Sequence, residues 1–116
     1  MVTIYHNNRC SKSREGLGII ERSGKDFQVR EYLKSPLNEA EITSLLKKLK
    51  MEPLELIRKN EKLWKENYKG KDFNSQELIK ILADNPGLME RPIVEVGEKA
   101  VIGRPPAHIE GLFKRI

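Results

Sequence analysis

The rhythm of apolar and polar positions changes several times along the chain. Val2 to Tyr5 is a short β-prone run, followed by a polar stretch that reaches Cys10. The pattern from Ser11 to Ser23 predicts a helix with Leu17, Ile19 and Ile20 facing inward, and Gly24 supplies a stop. Asp26 to Leu33 reads as a second strand, in which Phe27, Val29 and Glu31 alternate with Gln28, Arg30 and Tyr32 and the faces are poorly separated. Strand, helix, strand in that order predicts a right-handed crossover and a parallel pair.

Pro36 breaks the chain. Asn38 precedes Glu41 at capping-box spacing, with Ile42, Leu45, Leu46 and Leu49 on one helical face. A further helix is predicted after Pro53, carrying Leu54, Ile57, Arg58, Lys59 and Asn60, with Leu63 and Trp64 in a short continuation. Asn74 and Glu77 repeat the capping spacing and open a helix with Leu78, Ile81 and Leu82 that stops before Pro86. Ile93–Val96 and Ala100–Ile102 then form two short apolar runs joined by Gly97-Glu98, a two-residue turn that predicts an antiparallel hairpin. Pro105-Pro106 opens a last helix with Ile109, Leu112, Phe113 and Ile116 on one face. The order describes an α/β chain with a thioredoxin-like fold: a mixed four-stranded sheet in a single domain over residues 1–116, with a helical insertion at about 37–88 between the βαβ and ββα halves.

Composition narrows the function classes. No stretch approaches the roughly 18 apolar residues of a membrane span, and the N-terminus lacks the pattern of a signal peptide. With one cysteine, Cys10, an internal disulfide is impossible, so a cytoplasmic, reduced protein is expected. The formal charge is +5, but the 22 Lys and Arg are interleaved with 17 Asp and Glu. The densest basic cluster, Lys47-Lys48-Leu49-Lys50, reads as the outer face of a helix. Nucleic acid is therefore not the expected partner, whereas a small anion suits the cationic excess. His108 falls in the terminal helix near no other ligand candidate, so no metal site is expected.

Cys10 is the most informative residue. It falls after the first strand and at the mouth of the first helix, where unpaired backbone N–H groups and the helix dipole favour an anion. Arg9, Lys12 and Arg14 add positive charge, and His6 can donate a hydrogen bond or share a proton. These conditions depress a thiol pKa from about 8.5 toward 6 or 7. A lone cysteine is most often a buried structural residue; polar, basic flanks favour a nucleophile instead. A tyrosine-phosphatase-type loop would need Arg where Gly16 stands, and a dithiol oxidoreductase would need a second Cys where Ser13 stands. The site is monothiol, and an external thiol must release it once it is oxidised or joined to substrate.

The run His6-Asn7-Asn8-Arg9-Cys10-Ser11-Lys12-Ser13-Arg14 resembles the nucleophile loop of the glutaredoxin-coupled arsenate reductases. Leu56-Ile57-Arg58-Lys59-Asn60, Glu90-Arg91-Pro92-Ile93-Val94 and Ile102-Gly103-Arg104-Pro105 match the same family in order, so the resemblance covers nearly the whole chain and is closest to its short members. It implies that Cys10 attacks arsenate, with His6 and Ser13 near the thiolate. It also implies that Arg58, Arg91 and Arg104 hold the oxyanion, and that Pro92 is the cis-proline facing the cysteine. No bound cofactor is implied. Glutathione is the co-substrate, glutaredoxin the protein partner and a monomer the expected state, in the service of arsenic detoxification.

Electrostatics explains the need for arginine. A thiolate about 4 Å from a dianionic oxyanion meets repulsion of roughly 8 kcal/mol at an effective dielectric near 20. Each charge-assisted bond from a guanidinium contributes about 1.5–3 kcal/mol, so three such groups offset it. Apart from the motifs, Arg58 reads as the solvated end of a helix, while Arg91 and Arg104 precede proline and are biased to extended geometry. Lys59 and Asn60 read as surface or capping groups, and Trp64 as core. Two other functions fit the same residues: a monothiol redox protein acting on glutathione mixed disulfides, and a non-enzymatic regulator of the Spx type that binds RNA polymerase. The latter senses oxidation through a Cys-x-x-Cys pair that Ser13 interrupts.

Overall fold

The computed structural model describes residues Met1–Ile116. The elements are β1 (Val2–Tyr5), α1 (Ser11–Arg22), β2 (Phe27–Arg30), α2 (Glu39–Leu49), a 3₁₀ turn at Pro53–Leu56, α3 (Lys62–Asn67), α4 (Ser75–Asp84), a second 3₁₀ turn at Pro86–Leu88, β3 (Ile93–Val96), β4 (Lys99–Ile102) and α5 (Ala107–Lys114). The chain divides into two compact units: Met1–Ser35 together with Arg91–Ile116, and Pro36–Glu90.

The first unit holds a four-stranded sheet in the order β2-β1-β3-β4. β1 pairs with β2 in parallel, whereas β1–β3 and β3–β4 are antiparallel. This mixed sheet with α1 and α5 is the expected thioredoxin-like arrangement. Alternation sends Val2, Ile4 and Val94 to one face, where they form the core with Ile20 of α1 and Ile109 and Leu112 of α5. Each such side chain, fully withdrawn from water, contributes about 1.5–3 kcal/mol. The hairpin turns through Gly97, whose φ of +58° suits a residue without Cβ.

Several expectations need correction in this unit. β2 ends at Arg30 rather than Leu33, because Lys34 and Ser35 both donate to the Glu31 carbonyl and turn the chain away. The buried stripe of α1 is Ser13, Gly16 and Ile20, with Leu17 and Ile19 only partly buried. Ile116 lies beyond α5 and is 54% exposed, so it is not part of the inner face of that helix.

The second unit is helical. Asn38 and Asn74 each accept from the N–H three residues on, at 2.8 Å, while Glu41 and Glu77 reach back to the capping residue's N–H. α2 buries Ile42, Leu45 and Leu46, and α4 buries Leu78, Ile79, Ile81 and Leu82. The helix expected after Pro53 is a single 3₁₀ turn. Beyond it Ile57 bridges Met89 in antiparallel fashion, Arg58 N–H donates to the Leu88 carbonyl, and Glu90 N–H donates to that of Leu56. Pairing with a distant segment thus supplies the hydrogen bonds that a longer helix would have made.

Candidate functional site

Cys10 is the N-cap of α1, with extended backbone at φ −96° and ψ 122°. Its carbonyl accepts from Arg14 N–H at 3.0 Å, the first bond of the helix. The preceding loop is built by short-range bonds. Cys10 N–H donates to the Asn7 carbonyl at 3.0 Å, Arg9 N–H to Asn7 Oδ1 at 3.0 Å, and Arg14 Nη1 to the Asn8 carbonyl at 3.0 Å. His6 N–H continues the β1–β2 pairing by donating to the Arg30 carbonyl at 2.9 Å.

His6 and Ser13 are the only polar residues in the buried class, and they satisfy each other. His6 Nδ1 lies 2.6 Å from Ser13 Oγ, and Asn7 N–H donates to the same oxygen at 3.0 Å. His6 Nε2 faces Asn8 Oδ1 at 3.4 Å. For a neutral imidazole the contacts place the hydrogen on Nε2, so that Ser13 donates its hydroxyl hydrogen to Nδ1. Both side chains therefore pin the loop to the first turn of α1, and the Ser13 hydroxyl is spent on that clamp. Ser13 reaches the sulfur through its backbone instead.

Burial pushes the Cys10 thiol up. That effect is outweighed by the Ser13 N–H, the charge of Arg91, the Lys12 N–H and a hydrogen bond from the Arg91 side chain, and the pKa falls below its ordinary value. The sulfur makes no fully formed capping bond, yet both N–H groups sit at the helix terminus and favour the thiolate. Its charge partner is thus Arg91, remote in sequence. Nearby cations are engaged elsewhere or face solvent: Arg14 bonds to Asn8, Lys12 pairs with Glu15 at 3.7 Å, and Arg9 is exposed.

Arg91 precedes Pro92 through a cis peptide bond, and its Nε and Nη1 are buried without hydrogen-bond partners. Buried unpaired donors cost about 1–3 kcal/mol each, so these two nitrogens are the polar groups of the site that call for a partner. The other two arginines singled out from the sequence differ. Arg104, also before a cis proline, is exposed in the loop between β4 and α5. Arg58 belongs to the helical unit, where its guanidinium pairs with Glu61 and lies 4.0 Å from Glu90 Oε1. The structure thus gathers Cys10, His6, Ser13, Arg91 and Pro92, leaves Arg104 on the surface, and ties Arg58 to two carboxylates. Glu61 and Glu90 carry no motif of their own; only the i,i+3 spacing of Arg58 and Glu61 signals the first of these pairs. A cleft of about 440 Å³, lined by His6, Asn7, Asn8, Arg9, Glu31, Leu33 and Lys34, borders the loop. No three His, Cys, Asp or Glu side chains gather in a metal-holding group.

A lone cysteine capping a helix N-terminus, its thiol pKa lowered by the Ser13 N–H and by the arginine of a cis Arg91-Pro92 bond, on a mixed four-stranded sheet, defines a thioredoxin-like protein with one cysteine at the start of its first helix. Comparison with known proteins places it more closely: residues 5–112 match the model of the ArsC family, and the chain belongs to that family. It is 46% identical over 110 residues to the uncharacterized protein YfgD of Escherichia coli K12, covering 93% of this chain and 92% of that one. It is 40% identical over 107 residues to an arsenate reductase of Haemophilus influenzae, covering 90% and 92%. Among solved structures, an arsenate reductase from Vibrio cholerae superposes with a TM-score of 0.90 at 38% identity, over 95% of each chain.

Proposed function

We propose that the protein reduces arsenate, or a similar tetrahedral oxyanion, with Cys10 as nucleophile and glutathione with glutaredoxin as the external reductant. The observation that carries this reading is the pairing of Cys10, its thiol pKa lowered, with Arg91, whose Nε and Nη1 are buried and unmatched. The thiolate supplies the attacking electron pair, and the guanidinium offsets the repulsion between two anions. Relatives named arsenate reductases across nearly the full chain support the choice of oxyanion.

In the reaction, Cys10 sulfur bonds to arsenic as arsenate loses one oxygen as water. A glutathione thiolate then attacks Cys10 sulfur. The sulfur–arsenic bond breaks with its electron pair going to arsenic, so arsenite leaves and a Cys10–glutathione disulfide remains. A glutaredoxin thiolate then attacks the glutathione sulfur, so the glutathionyl group passes to glutaredoxin as a mixed disulfide and the Cys10 thiolate is released. Arg91 stays against the reacting centre throughout. Arg104, exposed and without an ion pair, and Arg58 enter this reading through the motifs they share with the family. The His6–Ser13 clamp positions the loop.

Incubation with arsenate, glutathione and glutaredoxin tests the proposal. The expected result is arsenite from the wild-type protein and none from Cys10→Ser. Absence of arsenite with every glutaredoxin tried, alongside turnover of a glutathionylated peptide, would replace it with the monothiol redox reading.

A further inference from the structure

α1 carries Cys10 at its start, and six residues on, about 9 Å along the axis, Gly16 is buried against Pro92. A Cβ at Gly16 would lie 3.0 Å from Ile109 Cδ1 and 3.1 Å from Pro92 Cγ. A Cβ at Gly103 would meet the same two side chains, 2.8 Å from Ile109 Cδ1 and 3.1 Å from Pro92 Cγ. Gly103 N–H also donates to the Pro92 carbonyl at 2.8 Å. Neither glycine has a positive φ, so chain conformation does not demand them. Room does. Two glycines from different elements make space for the same two side chains, and one of these is the ring that follows Arg91.

We propose that Gly16 and Gly103 are positioning residues. Their missing side chains let α1 and the β4–α5 loop close on Pro92, and this closure sets the separation between the Arg91 guanidinium and the Cys10 sulfur. The inference rests on the reading of Cys10 as the nucleophile. Ile109 is fully buried, and at Gly103 its Cγ1 also lies 3.1 Å from the added Cβ, so its only slack is rotation of the Cδ1 methyl end, whereas the Pro92 ring is rigid and tied to the backbone of Arg91. A methyl group at either glycine therefore shifts Pro92, or moves the helix away from it, by a few tenths of an ångström. Such a shift lengthens and tilts the contact between the Arg91 guanidinium and the sulfur, and hydrogen bonds are most sensitive to the tilt. The groups that act on the sulfur are the Ser13 and Lys12 N–H groups and Arg91, while His6 is turned to Ser13. A displacement at Pro92 is felt through Arg91.

The test is the pH dependence of Cys10 alkylation, read beside thermal stability, in the full chain. Gly16→Ala and Gly103→Ala are each expected to slow alkylation at pH 7 by about two- to tenfold and to raise the titration midpoint correspondingly. Gly18→Ala is the control on the same helix, because its Cβ would meet only the flexible end of Arg22. It has the same gain in helix propensity and should leave the midpoint at the wild-type value. Ile109→Val removes the other close atom, so Gly16→Ala/Ile109→Val should keep the raised midpoint if Pro92 transmits the effect. Folded glycine variants with a wild-type midpoint would overturn the inference and leave the reading of Cys10 standing. Full rescue by Ile109→Val would overturn the route through Pro92. Unfolding of both variants would reduce the glycines to packing. A wild-type midpoint at the free-thiol value would overturn the reading of Cys10 and this inference with it.

Discussion

At the scale of the residue, the site turns on which charge answers the sulfur. Arg9, Lys12 and Arg14 are near Cys10 in the chain, and a linear reading assigns them the task. A helix N-terminus, however, projects its first side chains outward while its backbone N–H groups converge on the cap. Lys12 accordingly acts through its N–H, and the guanidinium comes from Arg91. Arg91→Gln keeps much of the side-chain shape and removes the charge. It is expected to raise the alkylation midpoint of Cys10 toward that of a free thiol, and Arg9→Gln to leave it unchanged. A stopped-flow alkylation series against pH distinguishes the two. The position of Cys10 at the start of a helix was legible because the residues around it are polar and the helical pattern begins just after it. The clamp was legible only as proximity: the side chains of His6 and Ser13 could be listed, but their mutual satisfaction required the loop to fold back on α1.

At the scale of the element, local chemistry was the reliable guide. The Asn38–Glu41 and Asn74–Glu77 spacings each close a reciprocal pair of hydrogen bonds and place the helix starts to the residue. Asn74→Ala is expected to lower stability by about 1 kcal/mol, a fall in Tm of about 3–6 °C, with Cys10 reactivity unaffected. Calorimetry and alkylation on one sample check both halves. Where a long-range partner decides, local chemistry failed. Glu52, Pro53 and Glu55 do start a turn, but residues 56–58 find their bonds in 88–90, and nothing near Ile57 announces Met89. The overlong β2 has the same origin. Its apolar residues continue to Leu33, whereas its partner β1 offers only four residues in register.

At the scale of the whole molecule, ionisation and folding are linked. Cys10 titrates below the ordinary thiol value when folded. At low pH the thiol is protonated in folded and unfolded chains alike and adds nothing. Between the folded midpoint and the ordinary value only the unfolded chain still holds the proton, so stability climbs with pH and then levels off. Urea unfolding from pH 6 to 10 should show wild type gaining on Cys10→Ser across that interval. A difference that is flat or declines would mean that the fold does not favour the thiolate. The alternation of strand, helix and hairpin was enough to read the α/β class and the mixed sheet from sequence. The bounds of the helical unit, Pro36–Glu90, lie close to the breaks at Pro36 and Pro86. The site's second half was less legible, since it joins residues about eighty positions apart and only the motif around Pro92 marks its far side.

On the proposed reading, the two buried nitrogens of Arg91 bear on selectivity as well. A halide carries charge but is one point, able to sit on a single axis of the guanidinium. A tetrahedral oxyanion instead offers several acceptor atoms, two of which can meet the parallel N–H groups along one edge of a guanidinium. If Arg91 holds the oxyanion as proposed, a guanidinium edge favours polyatomic oxyanions over spherical ions of equal valence, which would make halides weak competitors for the centre.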